Sequence, residues 1–254
     1  MLLAIDIGNT ETKLGIFDGD ELLHRWRVTT DSRRTGDEYG VFLRQLLATS
    51  GVNTSAIDGV AVASVVPKLD QVLHEACERF FDRAPAFLKP HRQRIIPVRT
   101  DRPSEVGADL VAAAIGARAS YGAPLIVISY GTATAFVAIS DAGEFVGTAI
   151  APGISISVDA LVGRAAKLPQ IALEAPGQAI GRETIASLQS GIVYGFVGQT
   201  EGLVARFRSE LGGGARVIAT GGLAAVVAKH TPVIDTVDTD LSLRGLKLFS
   251  KHQA

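Results

Sequence analysis

Leu2-Leu3-Ala4-Ile5-Asp6-Ile7-Gly8-Asn9-Thr10-Glu11-Thr12-Lys13-Leu14-Gly15-Ile16-Phe17-Asp18 is the stretch that decides the fold. An apolar run meets a Gly-Asn turn, a second apolar run follows, and Gly19-Asp20-Glu21-Leu22 turns into a third. That order reads as a β-meander. It returns at Leu125-Ile126-Val127-Ile128-Ser129-Tyr130-Gly131-Thr132-Ala133-Thr134-Ala135-Phe136-Val137-Ala138-Ile139, followed by Ser140-Asp141-Ala142-Gly143-Glu144-Phe145. With one gap, Asp6 aligns with Ser129, Gly8 with Gly131 and Thr10 with Thr132. The same hairpin opening twice points to a duplicated domain whose second copy starts near residue 122.

Outward from these hairpins the periodicity changes. Residues 41–48, 69–81, 106–121, 184–211, 222–229 and 241–251 read as helices, the long one stopped by Gly212-Gly213-Gly214. Residues 59–66 and 216–219 read as buried strands. Strand-rich openings followed by helices, twice over, give an α/β protein of two similar domains facing each other across a cleft. The boundaries are 1–121 and 122–254, with the last helix free to pack back on the first domain.

The 254 residues are 47% hydrophobic and 20% charged, which supplies a sizeable core. The net charge of −1 offers no basis for a nucleic-acid or membrane partner. Cys77 is the only cysteine, so no disulfide forms within the chain, as suits the cytoplasm. Its place in an apolar-periodic segment makes it a core residue. The five histidines show no metal-ligand spacing.

A turn that wraps phosphate needs inward N–H groups and residues tolerant of unusual φ, and Gly8 and Asn9 meet that demand. Thr10 and Thr12 add hydroxyls and Lys13 a cation. Asp6, ending a buried strand, is costly there unless it meets donors or a cation such as the Mg²⁺ that accompanies ATP. Gly131-Thr132-Ala133-Thr134 offers a second phosphate turn, and Thr220-Gly221-Gly222 a glycine-rich turn suited to a flat ring. An ordinary hairpin and close strand–helix packing remain alternatives for each turn taken alone.

Three glycine-rich turns in this order resemble the actin, Hsp70 and sugar-kinase superfamily, with RNase H-like domains. Nearly end to end, the chain resembles the type III pantothenate kinases, which phosphorylate pantothenate with ATP in the first step of coenzyme A synthesis. The resemblance rests on Asp6-Ile7-Gly8-Asn9-Thr10, Ser64-Val65-Val66-Pro67, Glu105-Val106-Gly107-Ala108-Asp109 and Gly131-Thr132-Ala133-Thr134. It continues through Ala151-Pro152-Gly153, Gly181-Arg182-Glu183-Thr184, Thr220-Gly221-Gly222-Leu223 and Leu241-Ser242-Leu243-Arg244-Gly245-Leu246. It implies that Asp6, Ile7, Gly8, Asn9, Thr10, Glu11, Thr12 and Lys13 line the ATP phosphates, with Thr132 from the second domain. It implies Asp109 as catalytic base, and Gly107, Ala108, Asp109, Leu110 and Thr184 at the acceptor. Asp6 is implied for Mg²⁺, directly or through water, and position 129 for a monovalent cation, K⁺ or NH₄⁺. It also implies a homodimer, and Gly191, Gly195 and Gly198 suit a helix packed closely in it.

The chain departs from that family pattern at a few places. Leu110 follows Asp109 where arginine is usual, and Ser129 stands where an aspartate is usual. Thr148 replaces a glycine, and Thr100 and Arg102 replace a tyrosine and an asparagine. These changes leave two other functions compatible with the sequence: a catalytically weak nucleotide-binding regulator, and a kinase for another small hydroxylated acceptor.

Overall fold

The computed structural model describes residues 1–165 and 167–252. The chain divides into two compact units, one made of Met1–Ser120 with Leu241–Ala254 and one of Tyr121–Asp240.

In the first unit β1 (Leu2–Ile7), β2 (Glu11–Asp18) and β3 (Glu21–Thr29) form the antiparallel meander read from the sequence. β4 (Gly59–Ser64) and β5 (Ala86–Phe87) continue it in parallel, so the sheet runs β3-β2-β1-β4-β5. Alternation splits the sheet into two faces. Leu3, Ile5, Ile7, Leu14, Ile16, Val60 and Val62 form a core with Tyr39, Leu43 and Leu47 of α1 (Gly36–Thr49) and Leu69, Leu73 and Cys77 of α2 (Pro67–Phe81). The opposite face carries small residues, Ala4, Gly15, Ala61 and Ala63. There α7 (Leu241–Lys251) lies against β1, β2 and β4, and Leu243 reaches the Gly15 backbone. α3 (Ala108–Tyr121) meets α7 where Gly116 approaches the Leu241 backbone. Lys247 and Lys251 of α7 both bind Asp20 in the β2–β3 turn.

In the second unit β6 (Leu125–Tyr130), β7 (Ala133–Ile139) and β8 (Phe145–Pro152) repeat the meander, and β9 (Arg216–Thr220) and β10 (Thr236–Val237) add parallel strands. The order β10-β9-β6-β7-β8 is the order of the first sheet, strand for strand. Its core joins Ile126, Ile128, Tyr130 and Phe136 to Phe196, Val197 and Val204 of α5 (Thr184–Glu210) and to Ala224 and Val227 of α6 (Ala224–Ala228). A further helix, α4 (Ile154–Arg164), follows β8.

Several boundaries differ from the sequence reading for local reasons. α1 starts at Gly36 rather than 41, because Thr35 and Glu38 form a reciprocal capping box. β4 stops at Ser64, and α2 begins at Pro67, where a missing N–H costs nothing. α3 begins at Ala108 because Val106 is extended. α6 is only five residues long, since Gly221 takes a φ of +96° before it. α4 was unanticipated: Ile154-Ser155-Ile156-Ser157-Val158 alternates like a strand, yet it coils into a helix. Cys77 is fully buried, and burial pushes its thiol up to about 12, so it packs without reacting. No helix among the described residues is long and apolar enough to cross a membrane.

Candidate functional site

The first turn follows directly from β1. Gly8 N–H donates to the Glu11 carbonyl (3.0 Å), closing the loop over Asn9 and Thr10. A Cβ placed on Gly8 would sit 2.8 Å from that carbonyl, so only glycine fits. Thr30, just beyond β3, holds the turn from outside. Its N–H donates to the Thr10 carbonyl (2.9 Å) and its hydroxyl to the Gly8 carbonyl (2.8 Å).

Asp6 lies one residue before the end of β1, on the face of the small residues, directly across from Lys13 on β2. It is 6% exposed, and its Oδ1 is buried without a hydrogen-bond partner. A carboxylate so placed is expensive unless something cationic reaches it.

Asp109 supplies a second carboxylate from the first turn of α3. Its Oδ1 accepts the Leu110 N–H (2.8 Å), folding the side chain back over the helix start. That fold-back requires Gly107, because a Cβ there would stand 2.5 Å from Asp109 Oδ1. Burial, and then the negative charge of Asp6, push the Asp109 carboxyl up to about 6, while its backbone hydrogen bonds and Lys13 pull the other way. One acid, one base-strength carboxyl and one lysine thus converge beside the glycine turn.

The other expected residues divide by face. Ile7 is fully buried in the core, so only its backbone borders the turn. Thr12 departs from the expectation of a phosphate contact: it is 1% exposed on the core face, and its hydroxyl bonds that of Thr30 (2.9 Å). Glu11 is held by a bidentate ion pair to Arg27 (2.8 and 2.7 Å), which offsets its negative charge near the turn. Asn9 and Thr10 are exposed, as a ligand-facing tip requires. Ala108 and Leu110 are buried, so Leu110 is a packing residue at the start of α3. Arg102 pairs with Glu105 at the surface (3.0 Å), and Thr100 Oγ1 is buried without a partner.

In the second unit, Gly131 N–H donates to the Ala133 carbonyl (3.0 Å), a turn one residue tighter than the first. Thr132 is exposed, and its carbonyl accepts the Gly153 N–H (3.1 Å). Ser129 is half-buried, in register with Ala135 and Thr220. Thr148 lies on the exposed row of β8 with Val146 and Ile150. Thr184 is the exposed first residue of α5 and follows the N-cap residue Glu183. Among the described residues no three His, Cys, Asp or Glu side chains gather as a metal cage. The residue that sequence reading missed is Thr30. A threonine where the third strand ends was its only signal.

A family model described as type III pantothenate kinase matches residues 2–206. A type III pantothenate kinase of Moorella thermoacetica is 49% identical over 248 residues, spanning 98% of each chain. Among solved structures, a candidate Baf-family transcriptional activator from Campylobacter jejuni superposes with a TM-score of 0.63 at 18% identity, covering 99% of this chain and 98% of its own. A candidate 2-dehydro-3-deoxygalactonokinase from Sinorhizobium meliloti gives 0.62 at 14% identity, covering 99% and 96%. At such identities the likeness shows the fold, the duplicated α/β arrangement of actin-like ATPases and sugar kinases.

Proposed function

The chain belongs to the type III pantothenate kinase family, and we propose that its chemistry centres on Asp6, the Gly8 turn and Asp109. It phosphorylates pantothenate with ATP, giving 4′-phosphopantothenate and ADP, the first step of coenzyme A biosynthesis. What supports this assignment of residues is the pair of carboxylates beside a glycine-only turn, one orphaned and one raised to about 6.

In the proposed reaction the turn's N–H groups hold the phosphates of ATP, and Lys13 offsets their charge. Thr132, in the counterpart turn, is assigned to the phosphates as well. The hydroxyl oxygen of pantothenate attacks the γ-phosphorus as the bond to the β–γ bridging oxygen breaks, and Asp109 takes the hydroxyl proton. A carboxyl near 6 is ionised at neutral pH yet basic enough to accept that proton. The orphaned Oδ1 fits Asp6 as a carboxylate for Mg²⁺, an ion that takes one or two carboxylates plus substrate phosphates. When bound, Mg²⁺ screens the phosphate charge. Gly107 and Ala108 set the angle of Asp109 toward the acceptor, and Thr184 is assigned to the acceptor side.

At position 129 the serine hydroxyl and that of Thr220 lie on one face and bring no carboxylate. A monovalent cation there would be held by neutral oxygens alone, and no step is routed through it. A homodimer is inferred from the second unit. β8 is a sheet edge whose outward row includes Val146 and Ile150, and Ile150 is 68% exposed. The α5 glycines 191, 195 and 198 face open space, leaving room for a close helix contact. A monomer by light scattering at micromolar concentration would contradict it. A cytoplasmic location is inferred, and the lone, buried Cys77 supports it.

The test is ADP release from the purified chain with ATP and pantothenate, with the product identified by mass. Pantothenate-dependent release of one ADP per phosphopantothenate is expected. Buried, uncharged Leu110 beside Asp109 makes a panel of other hydroxy acids and nucleosides a necessary arm. Turnover of one of those without pantothenate turnover would reassign the acceptor, and ATP binding without any turnover would make the chain a sensor.

A further inference from the structure

The first turn is braced by a bonded pair of part-buried hydroxyls, Thr12 and Thr30, that its counterpart lacks. Thr30 Oγ donates its one proton to the Gly8 carbonyl, so the 2.9 Å contact with Thr12 must have Thr12 as donor. The line therefore runs one way, from Thr12 through Thr30 to the Gly8 carbonyl.

The consequence for the turn follows from peptide geometry. A trans peptide holds its carbonyl and the next N–H antiparallel. With the Gly8 carbonyl drawn to the Thr30 hydroxyl, the Asn9 N–H points the opposite way. With the Thr10 carbonyl drawn to the Thr30 N–H, so does the Glu11 N–H. Thr30 thus fixes two of the turn's peptide planes at once.

The second unit supplies the control. By strand register Thr12 corresponds to Thr134, and Thr30 to Gly153. The main-chain half of the clamp is preserved there, as Gly153 N–H to the Thr132 carbonyl (3.1 Å). The side-chain half is gone, and Thr134 Oγ1 is left buried without a partner.

We propose that Thr30 is a positioning residue for ATP, aiming the N–H groups of the phosphate turn through its hydroxyl bond to the Gly8 carbonyl. This rests on the reading of that turn as the phosphate site. The test compares wild type, Thr30→Val and Thr30→Ser for KM of ATP, KM of pantothenate, kcat and the thermal shift on adding ATP. Thr30→Val should raise the ATP KM by about tenfold and leave the pantothenate KM within about twofold, with Thr30→Ser near wild type. An unchanged ATP KM in Thr30→Val, or equal rises in both KM values that serine fails to rescue, would overturn the proposal. If Thr30→Val does not fold, Thr30→Cys, with a weaker donor, must still raise the ATP KM; no rise overturns it. Wild type unprotected by ATP would bring down the phosphate reading and this proposal together, whereas protection equal in wild type and Thr30→Val brings down this proposal alone.

Discussion

The two hairpin turns share a backbone plan and differ in almost everything chemical. Each follows the central strand of an identically ordered sheet, closes on a glycine N–H, and receives one main-chain bond from the end of the third strand. At the first turn the strand carries Asp6, buried with its Oδ1 unpartnered, and Thr30 adds a hydroxyl clamp. At the second the strand carries Ser129, and Gly153 can add no side chain. Duplication preserved the scaffold, because register and core packing demand it. The charge and the hydroxyl clamp were free to diverge. The first unit is therefore where substitutions should hurt most.

The comparison can be broken most easily at its glycines. Gly8→Ala forces a Cβ against the Glu11 carbonyl at 2.8 Å and should raise the ATP KM by about 10- to 100-fold. Gly131→Ala meets only the Ala133 carbonyl at 3.7 Å, an ordinary contact, and should change it by less than about twofold. Equal effects would erase the asymmetry. The acids give the next contrast. Asp6→Asn removes the charge that suits Mg²⁺ and should cut kcat/KM by about tenfold or more, while Ser129→Ala should cost less than about threefold. A titration with Mg²⁺ should show the midpoint displaced upward in Asp6→Asn only.

Asp109 provides a pH contrast that the Ser129 hydroxyl does not offer. Below about 6 it is protonated and cannot accept a proton, so kcat/KM for pantothenate should fall by about tenfold per pH unit there. Stability should move oppositely. The carboxyl titrates near 4 in the unfolded chain and near 6 when folded, so ionising it opposes folding above about 6 and costs nothing below about 4. Asp109→Asn should therefore melt higher than wild type at pH 8, with the gap closing by pH 4. The smallest effect concerns salt: exchanging K⁺ for Na⁺ should alter kcat by less than about twofold, since Ser129 and Thr220 offer a cation neutral oxygens only, without the added attraction of a carboxylate. A strict K⁺ requirement would contradict the reading of that position.

Much of this was legible in the sequence, and the reasons are local. The meanders declare themselves because period-two alternation, a Gly-Asn turn and a Gly-Asp turn are all short-range signals. Gly8 could be read as a special turn residue, and Cys77 as core, without any tertiary knowledge. The start of α1 was legible too, in Thr35-Gly36-Asp37-Glu38, but its apolar periodicity begins later and hid it. α4 was hidden because alternating Ile and Ser satisfy a strand pattern as well as a helix. Thr12 and Thr30 were not legible as a pair. They lie 18 residues apart, and only the β2–β3 register turns both toward the core. Nor could spacing reveal that Gly107 makes room for the Asp109 carboxylate, which depends on how α3 begins.

The most direct test of the account's centre is Asp109→Asn, measured for ATP binding and for pantothenate-dependent ADP release on the same sample. The account predicts ATP affinity within about threefold of wild type, because the Gly8 turn is intact, and release reduced by about 100- to 10,000-fold, because the base is gone. Release near the wild-type rate would show that Asp109 is not the base.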